Sequence, residues 1–399
     1  MTSAFARANQ LAAAPILGSL SLLIALLVAA CSSTPPPTAG TPPVASAAPA
    51  VPTPPEMRDD LAAATIDRPR ARWVAARWSD LPGWNSDRVA EFWPAFLRSC
   101  ERPTPAWLAV CAAARQAFAA PPADAALRDW LQQHLRAYRI ESPTRDPSGL
   151  ATGYFEPLVE ASREPRPGFR VALYGPPPDL ATKKPYWTRQ QLETLPAAQK
   201  SLRGSEIAWV RDQLDALVLQ VQGSGRLAFV AAGGATKVVR VAYAGHNDQP
   251  YQSIGRWLID QGELRPSEAS WPAIRAWARQ NPGRIDEMIR SNPRFVFFRE
   301  EPLPDPAVGP KGAQGVPLTP GRSIAVDPQS VPYGTPVWLD TSEPLSTRPL
   351  RRLVVAQDTG SAIVGAVRAD YFWGWGDDAE AEAGRMKQPL RMWALWPSS

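Results

Sequence analysis

The chain has 399 residues, a formal charge of +5 and 45 prolines. This length exceeds what one hydrophobic core usually supports, so we expect more than one domain. The basic residues form no run with interleaved aromatic residues, which argues against nucleic acid as a partner.

The first residues have the pattern of an exported protein. Arg7 precedes an apolar run over residues 15–30, which is typical of a signal peptide rather than a spanning helix. The following Cys31 resembles the cysteine of a bacterial lipobox, which is acylated, and a plain signal peptide with a chance cysteine is the alternative. Ser32 favours the outer membrane in lipoproteins of this type. We therefore predict a lipoprotein signal over 1–30 and a periplasmic protein with a lipid anchor on Cys31.

Residues 31–55 are nearly all Pro, Ser, Thr, Ala and Gly. Such a composition cannot bury a core and favours extended geometry. We predict a tether between the anchor and the folded part.

Helical patterns fill residues 86–141. Ser86 is predicted to cap the first helix, and Thr104 with Pro105 to begin the second. A third helix is indicated by an apolar stripe through Leu127, Trp130, Leu131, His134, Leu135 and Tyr138. Because His134 lies on this stripe, which is expected to be buried, we predict a structural rather than a catalytic role for it.

Cys100 and Cys111 are the cysteines that remain after Cys31. In an oxidising compartment, a pair so close in sequence predicts a disulfide. With two histidines and no Cys-x-x-Cys motif, we expect no metal site and no other cofactor.

Short strands are predicted between residues 151 and 245, at 153–157, 170–174, 216–222 and 237–241. Such strands are typical of a small barrel or sandwich. Helices are predicted over 251–262 and 270–280, a strand over 294–298, and further strands from 316 to 395.

The C-terminal part carries the chemistry. Asp370 lies beside Tyr371, Phe372 and Trp373, where partial desolvation would keep a carboxylic acid protonated near neutral pH. Such a group serves as a general acid and then as a base, and a turn-capping role is the alternative. Asp358 and Asp327 each end a predicted strand, where bracing a turn is the favoured role.

These aspartates carry a family resemblance. Asp327, Asp358 and Asp370, with VPYGT from Val331 and GSAI from Gly360 between them, resemble the three aspartates of the 3D domain, a double-psi β-barrel. Other motifs narrow the match: TGYFEP from Thr152, QVQGSGR from Gln220, YAGHN from Tyr243, YQSIG from Tyr251 and NPRFVFF from Asn292. Over residues 152–396 the chain resembles the membrane-bound lytic murein transglycosylase A family.

The resemblance implies a mixed, mainly β fold with N-terminal helices, in which a double-psi barrel and an inserted β domain flank a glycan groove. It assigns residues 56–150 and 309–399 to the catalytic domain and 151–308 to the insert. The implied reaction cleaves the β-1,4 bond between N-acetylmuramic acid and N-acetylglucosamine in peptidoglycan and leaves a 1,6-anhydro end. The expected partners are glycan strands, the outer membrane and other cell-wall enzymes.

The resemblance makes Asp370 the single acid/base and Asp358 and Asp327 its supports. In the insert, Tyr154, Gln222 and Ser224 are the predicted substrate-binding residues, because strand alternation allows one face to reach the groove. Glu156 is predicted to be a solvated strand residue. His246 is predicted to fix its loop, with lining the groove as the alternative.

Two other functions stay open. Asp358 begins the sequence Asp-Thr-Gly-Ser of aspartic peptidases, but the nearest second triplet, which starts at Asp340, lacks the glycine. A wall-binding lipoprotein without catalysis would keep the same fold.

Overall fold

A computed structural model describes residues 65–230 and 234–398. The predicted signal over 1–30, the predicted acylation site Cys31 and the predicted tether over 31–55 lie outside these residues. Within the described ranges, no helix is both long and apolar enough to cross a membrane.

The first elements are two strands, three helices and a third strand: β1 (Thr65–Asp67), β2 (Arg72–Ala76), α1 (Trp93–Ser99), α2 (Leu108–Ala117), α3 (Asp124–His134) and β3 (Leu135–Glu141). As predicted, Thr104 and Pro105 begin the turn that leads into α2. A disulfide joins Cys100, at the end of α1, to Cys111 in α2. The helices bury a large aromatic cluster that includes Trp93, Phe96 and Trp107.

The middle of the chain contains β4 and then the strands and helices of a six-stranded sheet, which we call the second sheet. Its elements are β4 (Gly149–Glu156), β5 (Leu158–Ser162), β6 (Val171–Tyr174), α4 (Arg189–Thr194), α5 (Pro196–Leu202), β7 (Glu206–Val210), α6 (Gln213–Gln222), β8 (Ser224–Val230), β9 (Thr236–His246), α7 (Ile254–Asp260), α8 (Trp271–Gln280), α9 (Ile285–Arg290) and β10 (Val296–Glu301). Six of these strands form a sheet in the order β10-β9-β8-β5-β7-β6. Strand β4 belongs to the other sheet, so it leads directly from one sheet into the other.

The last elements are β11 (Ser323–Val326), β12 (Pro336–Ser342), β13 (Pro349–Asp358), β14 (Arg368–Trp375), α10 (Asp377–Arg385) and β15 (Lys387–Pro397). They complete a nine-stranded sheet in the order β1-β2-β3-β15-β12-β13-β11-β14-β4, and β4 also pairs with β15. The pairings of β4, β14, β11, β13, β12 and β15 therefore return to their starting point, and we call these strands the six-strand ring. The fold is mixed and mainly β, as the sequence indicates.

The strand predicted over 216–222 is wrong, because these residues belong to helix α6. Asp212 caps the helix by accepting a hydrogen bond from the backbone N–H of Asp215, and Gly223 ends it with a φ of +80°. Leu219 packs against the second sheet, while Leu217 packs against the cluster of α7, α8 and α9. A helix buried on opposite sides is apolar all round, so its sequence lacks the period that distinguishes a helix from a strand.

Two predictions for the N-terminal helices are also wrong. Ser86 caps no helix, since its hydroxyl donates to the carbonyl of Gly83 and α1 begins only at Trp93. The third helix ends at His134, and Tyr138 lies in β3, which pairs with β2 and β15. The residues around this boundary fit both a helical and an alternating pattern, and the sheet pairing decides between them.

Glu156 is another correction, because this predicted solvated residue is fully buried. Its carboxylate lies 2.8 Å from Nε of Arg226 and 2.5 Å from Nε of Arg240. These guanidinium groups also donate to the carbonyls of Pro306 and Val308. Glu156 therefore ties the end of β4 to the second sheet and to the segment that returns from it.

Candidate active site

The three predicted aspartates lie on neighbouring strands of the six-strand ring. Asp327 directly follows β11, Asp358 ends β13 and Asp370 is in β14. Strand β11 lies between the other two, and its Ala325 is the register partner of both Asp358 and Asp370. Because neighbouring strands are about 4.8 Å apart, the Cα atoms of these two aspartates are roughly 10 Å apart across one small residue.

Asp370 is held by a short chain of hydrogen bonds. The hydroxyl of Thr152, its register partner on β4, donates to Oδ1 of Asp370. Arg368 in turn donates to the Thr152 oxygen over 2.8 Å. Since a guanidinium only donates, the Thr152 proton is directed to the carboxylate, and Oδ2 stays available for other contacts.

The environment of Asp370 favours the protonated form of its carboxyl group. Burial raises its pKa above the ordinary value, while the charge of Arg368 and the hydrogen bond from Thr152 act in the opposite direction. The residue still keeps part of its surface exposed. An accessible carboxyl group with a raised pKa is suited to general acid catalysis.

Asp358 has a different set of partners. It accepts hydrogen bonds from the backbone N–H of Ala313 at 2.9 Å and from the hydroxyl of Tyr154 at 3.0 Å. Burial raises the pKa of Asp358 from 3.8 to about 6, against these hydrogen bonds, and the charge of Asp370 adds to the rise. With both oxygens engaged, this side chain is better placed to hold its loop than to reach a substrate.

Tyr154 donates to Asp358, and the charges of both aspartates act on its hydroxyl. Burial raises its pKa well above 10, and the charges of Asp358 and Asp370 raise it further. The hydroxyl therefore stays a proton donor. Its ring packs against Phe372 at a centroid distance of 5.2 Å.

Asp327 is a turn residue. Its buried carboxylate accepts hydrogen bonds from the backbone N–H groups of Gln329 and Gly365, at 3.0 and 2.9 Å, and from Arg70 at 3.1 Å. It thus fixes the loop between β13 and β14 at Gly365, where φ is +121°.

The other predicted binding residues are more dispersed. The side-chain oxygen of Gln222 accepts a hydrogen bond from the backbone N–H of Phe155 at 3.0 Å, next to Tyr154. Ser224 is half-buried at the start of β8. His246 fixes its own loop by accepting a hydrogen bond from the backbone of Asp248.

Sequence reasoning missed Thr152 and Arg368 as partners of Asp370. A signal for Thr152 was present, because it lies two residues before Tyr154 and strand alternation places both on one face. Gly153 between them allows close packing, since a Cβ atom there would lie 2.8 Å from Cα of Ala383 in α10. The contact to Arg368 depends on pairing between distant strands and had no local signal.

The loops of the second sheet approach this site. Burial raises the pKa of Tyr251, and the charge of Asp370 contributes to the rise. Arg294 donates both to the carbonyl of Gln249 and to the hydroxyl of Ser361 in the loop after Asp358. The aspartates are therefore bordered by residues from both sheets.

The partner that an aspartic peptidase would need is absent from this arrangement. Asp340 lies on β12 in ion pairs with Arg351 and Arg391. Arg351, the register partner of Asp340, is seven residues from Asp358 along β13, which corresponds to roughly 23 Å. In the part of the chain that the structure describes, no cluster of three or more His, Cys, Asp or Glu side chains could hold a metal ion.

Comparisons with known proteins agree with this architecture. The sequence model of the MltA specific insert domain matches residues 150–299, and that of the 3D domain matches residues 322–396. Membrane-bound lytic murein transglycosylase A of Vibrio cholerae is 32% identical over 269 residues, which cover 65% of this chain and 69% of the relative.

Solved structures are also similar. LtgG, a lytic transglycosylase of Burkholderia pseudomallei, is 45% identical with a TM-score of 0.57, and the match covers 82% of this chain and 96% of that one. Escherichia coli MltA with bound chitohexaose is 26% identical with a TM-score of 0.62, covering 84% and 94%.

Proposed function

Since the chain belongs to the membrane-bound lytic murein transglycosylase A family, we propose that it is a lyase that cleaves peptidoglycan glycan strands between N-acetylmuramic acid and N-acetylglucosamine. The observation that carries the proposal is Asp370, an accessible carboxyl with a raised pKa and one oxygen fixed by Thr152. Bound chitohexaose in the Escherichia coli relative supports a glycan substrate.

In the proposed reaction, protonated Asp370 gives its proton to the glycosidic oxygen as the bond from C1 of the muramic residue breaks. The C6 hydroxyl of the same ring attacks C1 and returns a proton to Asp370. The product is a 1,6-anhydromuramic end, and Asp370 is again protonated. No water is consumed, so the reaction is an intramolecular displacement at C1 rather than a hydrolysis.

One catalytic carboxyl suffices for this chemistry. A glycosidase needs a second carboxylate as nucleophile or to activate water, whereas here the nucleophile is already part of the reacting ring. The hydrogen bonds of Asp358 to Ala313 and Tyr154 support a positioning role for that residue, and those of Asp327 support one in the loop.

The closed pairings of the six-strand ring support a double-psi β-barrel in the catalytic part of the chain. Because β4 (Gly149–Glu156) belongs to this ring, we place the start of the insert after Glu156 rather than at residue 151, and its end at 308. In this arrangement Tyr251 and Arg294 line the insert side of the glycan groove. Gln222 and Ser224 stay predictions as glycan contacts, while the hydrogen bond of Tyr154 to Asp358 supports a positioning role for Tyr154.

The protein is further proposed to be a lipoprotein of the periplasm, anchored to the outer membrane through Cys31 after removal of residues 1–30. The signal pattern before Cys31 and the name of the relatives, which are membrane-bound, support this localisation. Mass analysis of the mature N-terminus tests it, and an unmodified cysteine would contradict the anchor.

The test of the reaction is product analysis by mass spectrometry after incubation with purified sacculi. We expect Asp370→Ala to abolish release of anhydro-muropeptides while glycan binding and folding persist. Undiminished release by this variant would refute the assignment of Asp370. Reducing muramic ends would indicate hydrolysis, and a wild-type protein that binds sacculi without products would be a wall-binding lipoprotein.

A further inference from the structure

A second concave site lies outside the aspartate groove. It is a surface cavity of about 690 Å³ lined by Trp78, Trp84, Asn85, Ser86 and Gln132, together with three small or apolar neighbours. This volume falls within the range of roughly 300–1,000 Å³ that is usual for ligand sites.

The cavity is on the far side of the six-strand ring from Asp370. Trp84 packs edge-on against Trp338 of β12 at 5.2 Å, and the Trp338 indole donates to the carbonyl of Pro82. Around the ring, β12 is three pairings away from β14 in either direction. A ligand in this cavity would therefore not occupy the proposed catalytic groove.

The lining has the chemistry of a sugar site. The partly exposed indole of Trp78 packs on the buried ring of Trp84 at a centroid distance of 4.9 Å, with an angle of 47° between the planes, so Trp78 offers the aromatic face of the cavity. Aromatic faces pack against the apolar faces of sugar rings. Asn85, Ser86 and Gln132 add amide and hydroxyl groups, and none of the lining residues carries a charge. This combination fits a neutral, polyhydroxylated ligand with amide substituents.

The cavity is also preformed. Arg128 in α3 donates to the carbonyls of Trp84, Asn85 and Asp87, which fixes the loop to the helix that carries Gln132. A fixed loop loses little conformational entropy when a ligand binds.

We propose that this cavity is a second glycan-binding site that takes an N-acetylhexosamine unit of a peptidoglycan strand. The inference rests on the proposed function for the identity of the glycan. A site on the far side of the ring holds the enzyme on the wall while the groove releases its product, so it adds avidity without taking part in the reaction.

The test uses full-length protein in detergent, labelled with 5-fluorotryptophan and carrying Asp370→Asn to prevent turnover. Chitohexaose is the probe, and ¹⁹F NMR follows the Trp78 resonance, which is identified by its loss in Trp78→Phe. We expect this resonance to shift with saturation. In the same background, Gln132→Ala is expected to weaken the titration roughly fivefold or more.

Gln133→Ala is the matched control, because Gln133 is the exposed neighbour of Gln132 in α3 and does not line the cavity. It should leave the titration unchanged. An unshifted Trp78 resonance, or equal effects of the two glutamine variants, would overturn the proposal.

A second measurement separates this site from the catalytic one. Without the Asp370 substitution, Trp78→Ala should bind sacculi more weakly but cleave short soluble glycan fragments at the rate of the parent. Loss of both properties would overturn a separate site. Anhydro products from Asp370→Ala would instead refute the proposed catalyst and leave the Trp78 titration unaffected.

Discussion

Replacing Glu156 by Gln tests the buried connection between the two sheets. The substitution keeps the shape of the side chain but leaves the guanidinium groups of Arg226 and Arg240 without a counter-ion. Both side chains are only 6% exposed. Each retains a backbone carbonyl, at Pro306 or Val308, so the variant is expected to fold with reduced stability.

Breaking a buried ion pair by removing one partner costs about 3–5 kcal/mol. This is a large part of the roughly 5–15 kcal/mol by which proteins are stable. At about 2 °C per kcal/mol for a protein of this size, the melting temperature should fall by roughly 6–10 °C. The assays are urea unfolding followed by tryptophan fluorescence and differential scanning calorimetry.

Glu160→Gln is the control, four residues further along the chain. Glu160 pairs with Arg211, but their side chains are 51% and 54% exposed. A surface pair of this kind contributes about 0–1 kcal/mol. If Glu156→Gln and Glu160→Gln lower the stability equally, the buried pair does not hold the sheets together as described.

Three further changes probe the site and the disulfide. Thr152→Val removes a hydrogen bond that lowers the pKa of Asp370, so this pKa should rise in the variant. Because a general acid must start protonated, the alkaline limb of the pH–rate profile should then move to higher pH. Asp358 has a folded pKa of about 6 against 3.8 ordinarily, so the folded protein loses stability as pH rises between these values. Urea unfolding of Asp358→Asn should therefore show its stability relative to the parent improving by about 2.4 kcal/mol between pH 4 and pH 7. Replacing Cys100 and Cys111 by Ser opens a loop with a sequence separation of 11 and should lower the free energy of unfolding by about 3 kcal/mol.

Each of these three predictions would be contradicted by a specific result. Thr152→Ser keeps the hydroxyl and should restore the parental pH profile, so a shift in both variants would refute the hydrogen bond as the cause. A pH-independent effect of Asp358→Asn would exclude the raised pKa. For the cysteines, equal stability of the double variant and the oxidised parent would show that the disulfide contributes nothing.

Local sequence signals indicate candidate acids, while they misplace some of the elements. Asp358 and Asp370 stand out because strands and aromatic residues flank them, and those signals lie within a few residues of each side chain. The hydrogen-bond partners of these aspartates have no such local signal. Thr152 reaches Asp370 through a parallel pairing of β4 and β14, and no local pattern specifies which distant strands pair.

The errors arise where tertiary contacts decide the structure. Helix α6 lies between the second sheet and a helical cluster, so residues 216–222 show no amphipathic period. Glu156 looked solvated because its counter-ions are 70 and 84 residues away in the chain. The sequence predicted strands from 316 to 395, whereas residues Asp377–Arg385 form helix α10 between β14 and β15.

The separation of the groups at the site has a consequence for chain synthesis. Thr152 precedes Asp370 by 218 residues and Tyr154 precedes Asp358 by 204. Contacts between such distant residues form late, because a long loop must close first. A growing chain therefore carries the donors long before the acids exist, and the acid site assembles only when nearly all of the protein has been made.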